Sequence, residues 1–179
     1  DVKAYSNGAA VELFFNGKSL GYQKINHIDG KEPFGRWQVE YHKGEITAVA
    51  YDEQGSEIAR ETKRSFEDPS QIVLEPETGD TGDLFFVDIM VADKNGTLVE
   101  NARNYITVNV AGNAELVGMD NGDSTDYDEY KPDNKTTHTR RLFANRLVAI
   151  IRSKKPGASF VLTAASAQLP TVSIKYDGK

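Results

Sequence analysis

The chain has 179 residues, of which 39% are hydrophobic and 27% charged, a balance typical of a soluble globular protein that excludes wholesale disorder. A net charge of −6 disfavours nucleic acid and anionic membrane surfaces as partners. No apolar run approaches the ~18 residues of a membrane span, and the lack of Cys rules out disulfides, thiolate nucleophiles and Cys-based metal sites.

Strand signals then run the length of the chain. Residues 2–6 and 11–15 read as two strands joined into a hairpin by Asn7-Gly8, with Asn16-Gly17-Lys18 as a second tight turn. Asn-Gly pairs supply the positive φ that short hairpin turns need. The sequence starts at Asp1, almost inside a strand, with no initiator Met and no basic-then-apolar leader, which reads as a piece cut from a longer polypeptide. Residues 19–25 form the next strand, and a polar loop with Gly30 and Pro33 leads into 35–41, with Trp37, Val39 and Tyr41 on one face. After Gly44, residues 46–51 set Ile46, Ala48 and Ala50 against Val49 and Tyr51 on the opposite face. The turn Glu53-Gln54-Gly55 opens a strand over 56–66, with Ile58 as its main apolar anchor.

Residues 65–70 mark a domain boundary, because Pro69 lacks an N–H and would break a central strand. A fresh series follows: strands at 72–74, 84–92, 98–99, 105–110 and 114–119, with Lys94-Asn95-Gly96 as a turn. A long acidic loop comes next, then strands at 141–152, 159–165 and 171–176. Residues 84–91 are apolar on both faces, as a central strand would be. Short strands punctuated by turns about every 8–12 residues, with no sustained helical stripe, predict an all-β chain of two tandem immunoglobulin-like β-sandwich domains. The expected domains are 1–68 and 69–179. A domain as small as the first buries only about 60% of its unfolded surface, so it is expected to lean on its neighbour or on chain outside this piece.

The first unit, through VELFFNGKSLG and the Trp37, Gly44, Ala48-Val49-Ala50 pattern, resembles the small β-sandwich behind the catalytic barrel of bacterial glycoside hydrolase family 2 enzymes. The second, through DKNGTLV and Val117-Gly118-Met119-Asp120-Asn121-Gly122-Asp123, resembles the immunoglobulin-like domain that follows it there. A departure from the family pattern lies at Asp80-Thr81-Gly82-Asp83. The resemblance implies a β-galactosidase-like parent that cleaves a β-linked sugar with two glutamates. In a retaining enzyme these stand about 5–5.5 Å apart, and in this family they sit in a (β/α)8 barrel of about 250 residues. The piece has neither that length nor those helices, so it is expected to be catalytically silent, with the barrel of the same polypeptide as its partner. A bacterial protein of the periplasm or the exterior is expected ahead of a cytoplasmic one.

Local candidates for chemistry are few. Residues 120–133 hold Asp120, Asp123, Asp126, Asp128, Glu129 and Asp133 against one base, Lys131. Several carboxylates in one loop suit Ca²⁺, and Asp120, Asp123, Asp126 and Asp128 are the candidate ligands. The spacing does not match an EF-hand, and the competing reading is a solvated acidic loop facing Arg140, Arg141, Arg146, Arg152, Lys154 and Lys155. Its tyrosines, Tyr127 and Tyr130, could border a sugar cleft. Trp37 with Tyr41 could stack on a pyranose ring, although the phase of Trp37 with Val39 favours core packing. His27, His42 and His138 are far apart, no Gly-Xaa-Ser-Xaa-Gly elbow occurs, and the sequons at Asn95 and Asn134 read as turns. No cofactor is expected apart from that Ca²⁺. Beside the scaffold reading stand a carbohydrate-binding module, with an oligosaccharide as partner, and an adhesion-type repeat, which the unequal units argue against.

Overall fold

The structure is a computed structural model that describes residues 1–28, 30–77, 82–157 and 159–177. Asp80 and Thr81, part of the departure noted above, lie outside the described residues. Packing of the backbone divides the chain into unit 1, Asp1–Ser65, and unit 2, Phe66–Lys179. Among the described residues every regular element is a strand.

Unit 1 contains β1 (Val2–Tyr5), β2 (Ala10–Phe15), β3 (Lys18–Lys24), β4 (Phe34–Trp37), β5 (Glu45–Tyr51) and β6 (Glu57–Arg64). A four-stranded sheet, β3-β2-β5-β6, accompanies a two-stranded ribbon, β1-β4, and all neighbours are antiparallel. Val11 and Leu13 of β2 and Ala50 of β5 point into a small core with Ile25 and Trp37, and Val2 and Ala4 of β1 pack against it. The β2–β3 turn is Asn16-Gly17, with φ of 48° and 77°, the paired positive values of a type I′ hairpin.

Three expectations for this unit are corrected. β1 pairs with β4 and not with β2. Neither Asn7 nor Gly8 takes positive φ, so the pair crosses from the ribbon to the sheet rather than reversing the chain. The strand expected over 35–41 ends at Trp37. Ile58 is 50% exposed and lies outside the core: β6 is an edge strand rich in charged residues and exposed on both faces, the composition that discourages edge-to-edge pairing.

Unit 2 contains β7 (Gln71–Pro76), β8 (Leu84–Ala92), β9 (Tyr105–Gly112), β10 (Ala114–Asp120), β11 (Thr137–Arg141), β12 (Leu147–Ser153), β13 (Phe160–Ser166) and β14 (Leu169–Tyr176). They form two antiparallel four-stranded sheets, β10-β12-β8-β7 and β11-β9-β13-β14. Alternating residues, such as Val87, Ile89 and Val91 on β8 and Ile106, Val108 and Val110 on β9, are buried in one core. This is the immunoglobulin-like sandwich expected from the sequence. Phe66 packs against that core, and the Glu67 N–H donates to Asp93 at 2.9 Å, which is why residues 66–68 go with unit 2. Residues 141–152 are not one strand. Ala144 and Asn145, at φ of 45° and 60°, turn the chain between β11 and β12. The Asn145 side chain pairs with both backbone groups of Val91 on β8, at 2.8 and 3.1 Å.

Candidate functional site

β10 and β11 are the terminal strands of the two sheets of unit 2, and residues 121–136 connect them. Such strands present unpaired backbone groups, and this loop supplies partners. The Met119 N–H donates to the Tyr130 carbonyl at 2.8 Å, and that of Leu116 to Lys135 at 2.7 Å. The loop's own turns are set by its acids and amides. Asp123 accepts from the Thr125 N–H and hydroxyl at 3.0 and 2.7 Å, and Asp126 accepts from the Asp128 N–H at 3.0 Å. Asn121 Nδ2 donates to Asp126 at 2.6 Å and to the Arg141 carbonyl at 3.1 Å.

Arg140 and Arg141, at the end of β11, clamp this loop. Arg140 is fully buried and donates to the Asp128 carbonyl at 2.7 Å, with its guanidinium 4.2 Å from the centre of the Tyr130 ring. Its Nη2 stands 3.5 Å from Asp126, an electrostatic pairing rather than a good hydrogen bond. Arg141 reaches Asp123 at 3.3 Å and Asp126 at 3.4 Å. Both carboxyls are held below their ordinary range. For Asp123 the main cause is the Thr125 hydroxyl, followed by the Thr125 N–H and, less, Arg141. For Asp126 it is the Asp128 N–H, with the Asn121 amide and both guanidinium groups adding to it. Charged acceptors filled by N–H and O–H donors favour the ionised form.

The residues singled out on sequence fall as follows. Asp123 and Asp126 are buried and committed to arginines, while Asp120 and Asp128 are exposed. No three metal-ligating side chains converge among the described residues, so the four aspartates do not assemble the expected ligand set. Arg140 and Arg141 of the basic run face the loop, whereas Arg152 lies near Asp83 and Glu115. Tyr127 stands 95% exposed at the loop's tip, and Tyr130 is partly covered by Arg140. Trp37 is 6% exposed and folded back against Gly35, with its Nε1 lacking a hydrogen-bond partner among the described residues. The ring is therefore packed in the core. Tyr41 is exposed in the loop after β4, its hydroxyl 3.4 Å from Ser65 Oγ. Each unit has an open cleft. The one in unit 1, about 300 Å³, is bordered by Phe15, Leu20 and Trp37 and has one carboxylate, Glu40. The one in unit 2, about 640 Å³, lies beside Tyr105 and has none. Tyr105, 58% exposed at the start of β9, escaped the sequence reading. Its alternation with Ile106 and Val108 was the available signal.

The comparisons with known proteins agree with this architecture. Residues 76–175 match the family model of the glycoside hydrolase family 2 C-terminal domain 5, and residues 1–59 match a domain of unknown function (DUF4982). The chain belongs to the family of glycoside hydrolase family 2 C-terminal domains. It is 31% identical, over 98% of its length, to the beta-galactosidase BoGH2A of Bacteroides ovatus, and covers 20% of that protein. A putative beta-glucuronidase of Formosa agariphila is 29% identical over 92% of the chain, which covers 16% of it. A solved glycosyl hydrolase family 2 member from Bacteroides cellulosilyticus superposes with a TM-score of 0.86 at 27% identity, covering 99% of this chain and 22% of that one. The chain thus spans about a fifth of the length of the relatives it matches.

Proposed function

We propose that this chain is a non-catalytic accessory scaffold of a family 2 glycoside hydrolase, whose barrel, in the same polypeptide, hydrolyses a β-linked sugar of the galactoside type. The observation that carries this reading is the correspondence of both units, in order, to a fifth of a beta-galactosidase. The chemistry agrees. Cleavage of a glycosidic bond needs two facing carboxyls, about 5–5.5 Å apart when configuration is retained, and the two clefts described hold one carboxylate and none. Of the loop acids, Asp123 and Asp126 are tied to Arg140 and Arg141.

The test has two arms. Purified chain is incubated with a chromogenic β-galactoside and is expected to release no chromophore; turnover that follows the purified peak would overturn the catalytic part of the reading. The whole polypeptide, with and without this region, is then compared for thermal stability and activity. Loss of both on deletion is expected of a scaffold, and an unaffected enzyme would remove that role.

A further inference from the structure

The outward face of the sheet β11-β9-β13-β14 is built of small, uncharged side chains along its middle. Thr107 and Asn109 alternate with buried Ile106, Val108 and Val110, and Thr163 and Ala165 with buried Phe160, Leu162 and Ala164. Their polar groups are joined across strands: Thr107 to Thr139 at 2.8 Å, Asn109 to Thr137 at 2.6 Å and Thr163 to Ser173 at 2.9 Å. Cross-strand pairs of this kind hold the side chains of the face in place. At one end the face opens into the cleft of about 640 Å³, bordered by Asn104, Tyr105, Thr107, Ala165, Ser166 and Gln168.

Three features of that cleft point to a ligand. The Tyr105 ring is 58% exposed. The side chains of half-buried Asn104 and exposed Gln168 bring amides to the cleft's border. Gln168 holds φ of +66° in the two-residue turn between β13 and β14, a conformation that costs a residue with a long side chain energy and recurs at functional sites. The lining carries hydroxyls, amides and one aromatic ring and no charge. It offers both donors and acceptors next to an apolar surface with a polar edge. A pyranose has the same two-sided character: an axial C–H face and a rim of equatorial hydroxyls. An anionic sugar would find no cation in this lining.

We propose that unit 2 binds a neutral oligosaccharide here, one pyranose face against Tyr105 and its hydroxyls toward Asn104, Thr107, Ser166 and Gln168. The site goes beyond the scaffold role and does not depend on it, since a scaffold without sugar affinity is still a scaffold.

The 179-residue chain is titrated calorimetrically with β-1,4-galactotetraose, cellotetraose and xylotetraose, and with a galacturonic acid tetramer of matched length. Saturable binding of at least one neutral oligomer, and none of the uronate, is expected. Tyr105→Ala weakens that binding at least about tenfold, as loss of a central aromatic contact does. Gln168→Gly weakens it while leaving the melting temperature equal or higher, because the left-handed backbone relaxes. This variant keeps the test decisive should Tyr105→Ala fold poorly. Flat traces with all three neutral oligomers, equal binding of the uronate, or an affinity that neither substitution moves would overturn the proposal.

Discussion

Arg140 is fully buried, and its charge is answered by Asp126, the Asp128 carbonyl and the Tyr130 ring. Removing one member of a buried pair leaves the other charge uncompensated, which costs about 3–5 kcal/mol. Arg140→Ala should destabilise unit 2 by that order in urea unfolding, and the double variant with Asp126→Ala should cost less than the two single effects added. Acid should act on the same network. The carboxyls of Asp123 and Asp126 are depressed in the folded protein, so the stability they contribute is complete above their unfolded value, about 3.9, and is lost as pH falls through the folded values. A melting series from about pH 6 to about pH 3 should drop most steeply at its acidic end. Asp123→Asn with Asp126→Asn should flatten that drop. The sequence showed acids facing a basic run but not which base goes inside. With the strand taken to begin at Arg141, the phase that buries Arg140 could not be read.

At the scale of elements, the turns were the most legible feature, because their chemistry is local. Asp52-Glu53-Gln54-Gly55-Ser56 and Asp93-Lys94-Asn95-Gly96-Thr97 adopt the same bond pattern. Asp52 accepts from the N–H groups of Gln54 and Ser56, and Asp93 from those of Asn95 and Thr97, at 2.8–2.9 Å. Such Asx-type turns are encoded in five residues. Two features were not local and were missed. The turn at Ala144-Asn145 lacks glycine and is held by bonds from Asn145 to Val91, 54 positions away in sequence. The crossing at Asn7-Gly8 is decided by what Gly8 touches: a Cβ there would lie 2.7 Å from the Tyr51 carbonyl oxygen. Gly8→Ala should therefore force the crossing apart and destabilise unit 1 by about 1–3 kcal/mol, the range of overpacked cores. Its far-ultraviolet signal and melting curve will show this, and wild-type stability would mean that the close approach does not constrain the crossing.

For the whole molecule, the all-β class was readable from turn spacing and alternation, whereas the pairing of strands depends on contacts distant in sequence. The two cores differ greatly in extent. Five buried side chains make up that of unit 1 and nineteen that of unit 2, among the described residues. Since stability follows the apolar surface removed from water, and small domains bury proportionally less of it, unit 1 should melt first. Calorimetry of the chain is expected to resolve two transitions. Leu13, buried in unit 1, and Ile89, buried in unit 2, label them. Truncation of such a residue to alanine costs about 2–5 kcal/mol, so Leu13→Ala should lower only the first transition and Ile89→Ala only the second. A single transition shifted alike by both substitutions would show that the cores unfold as one cooperative body.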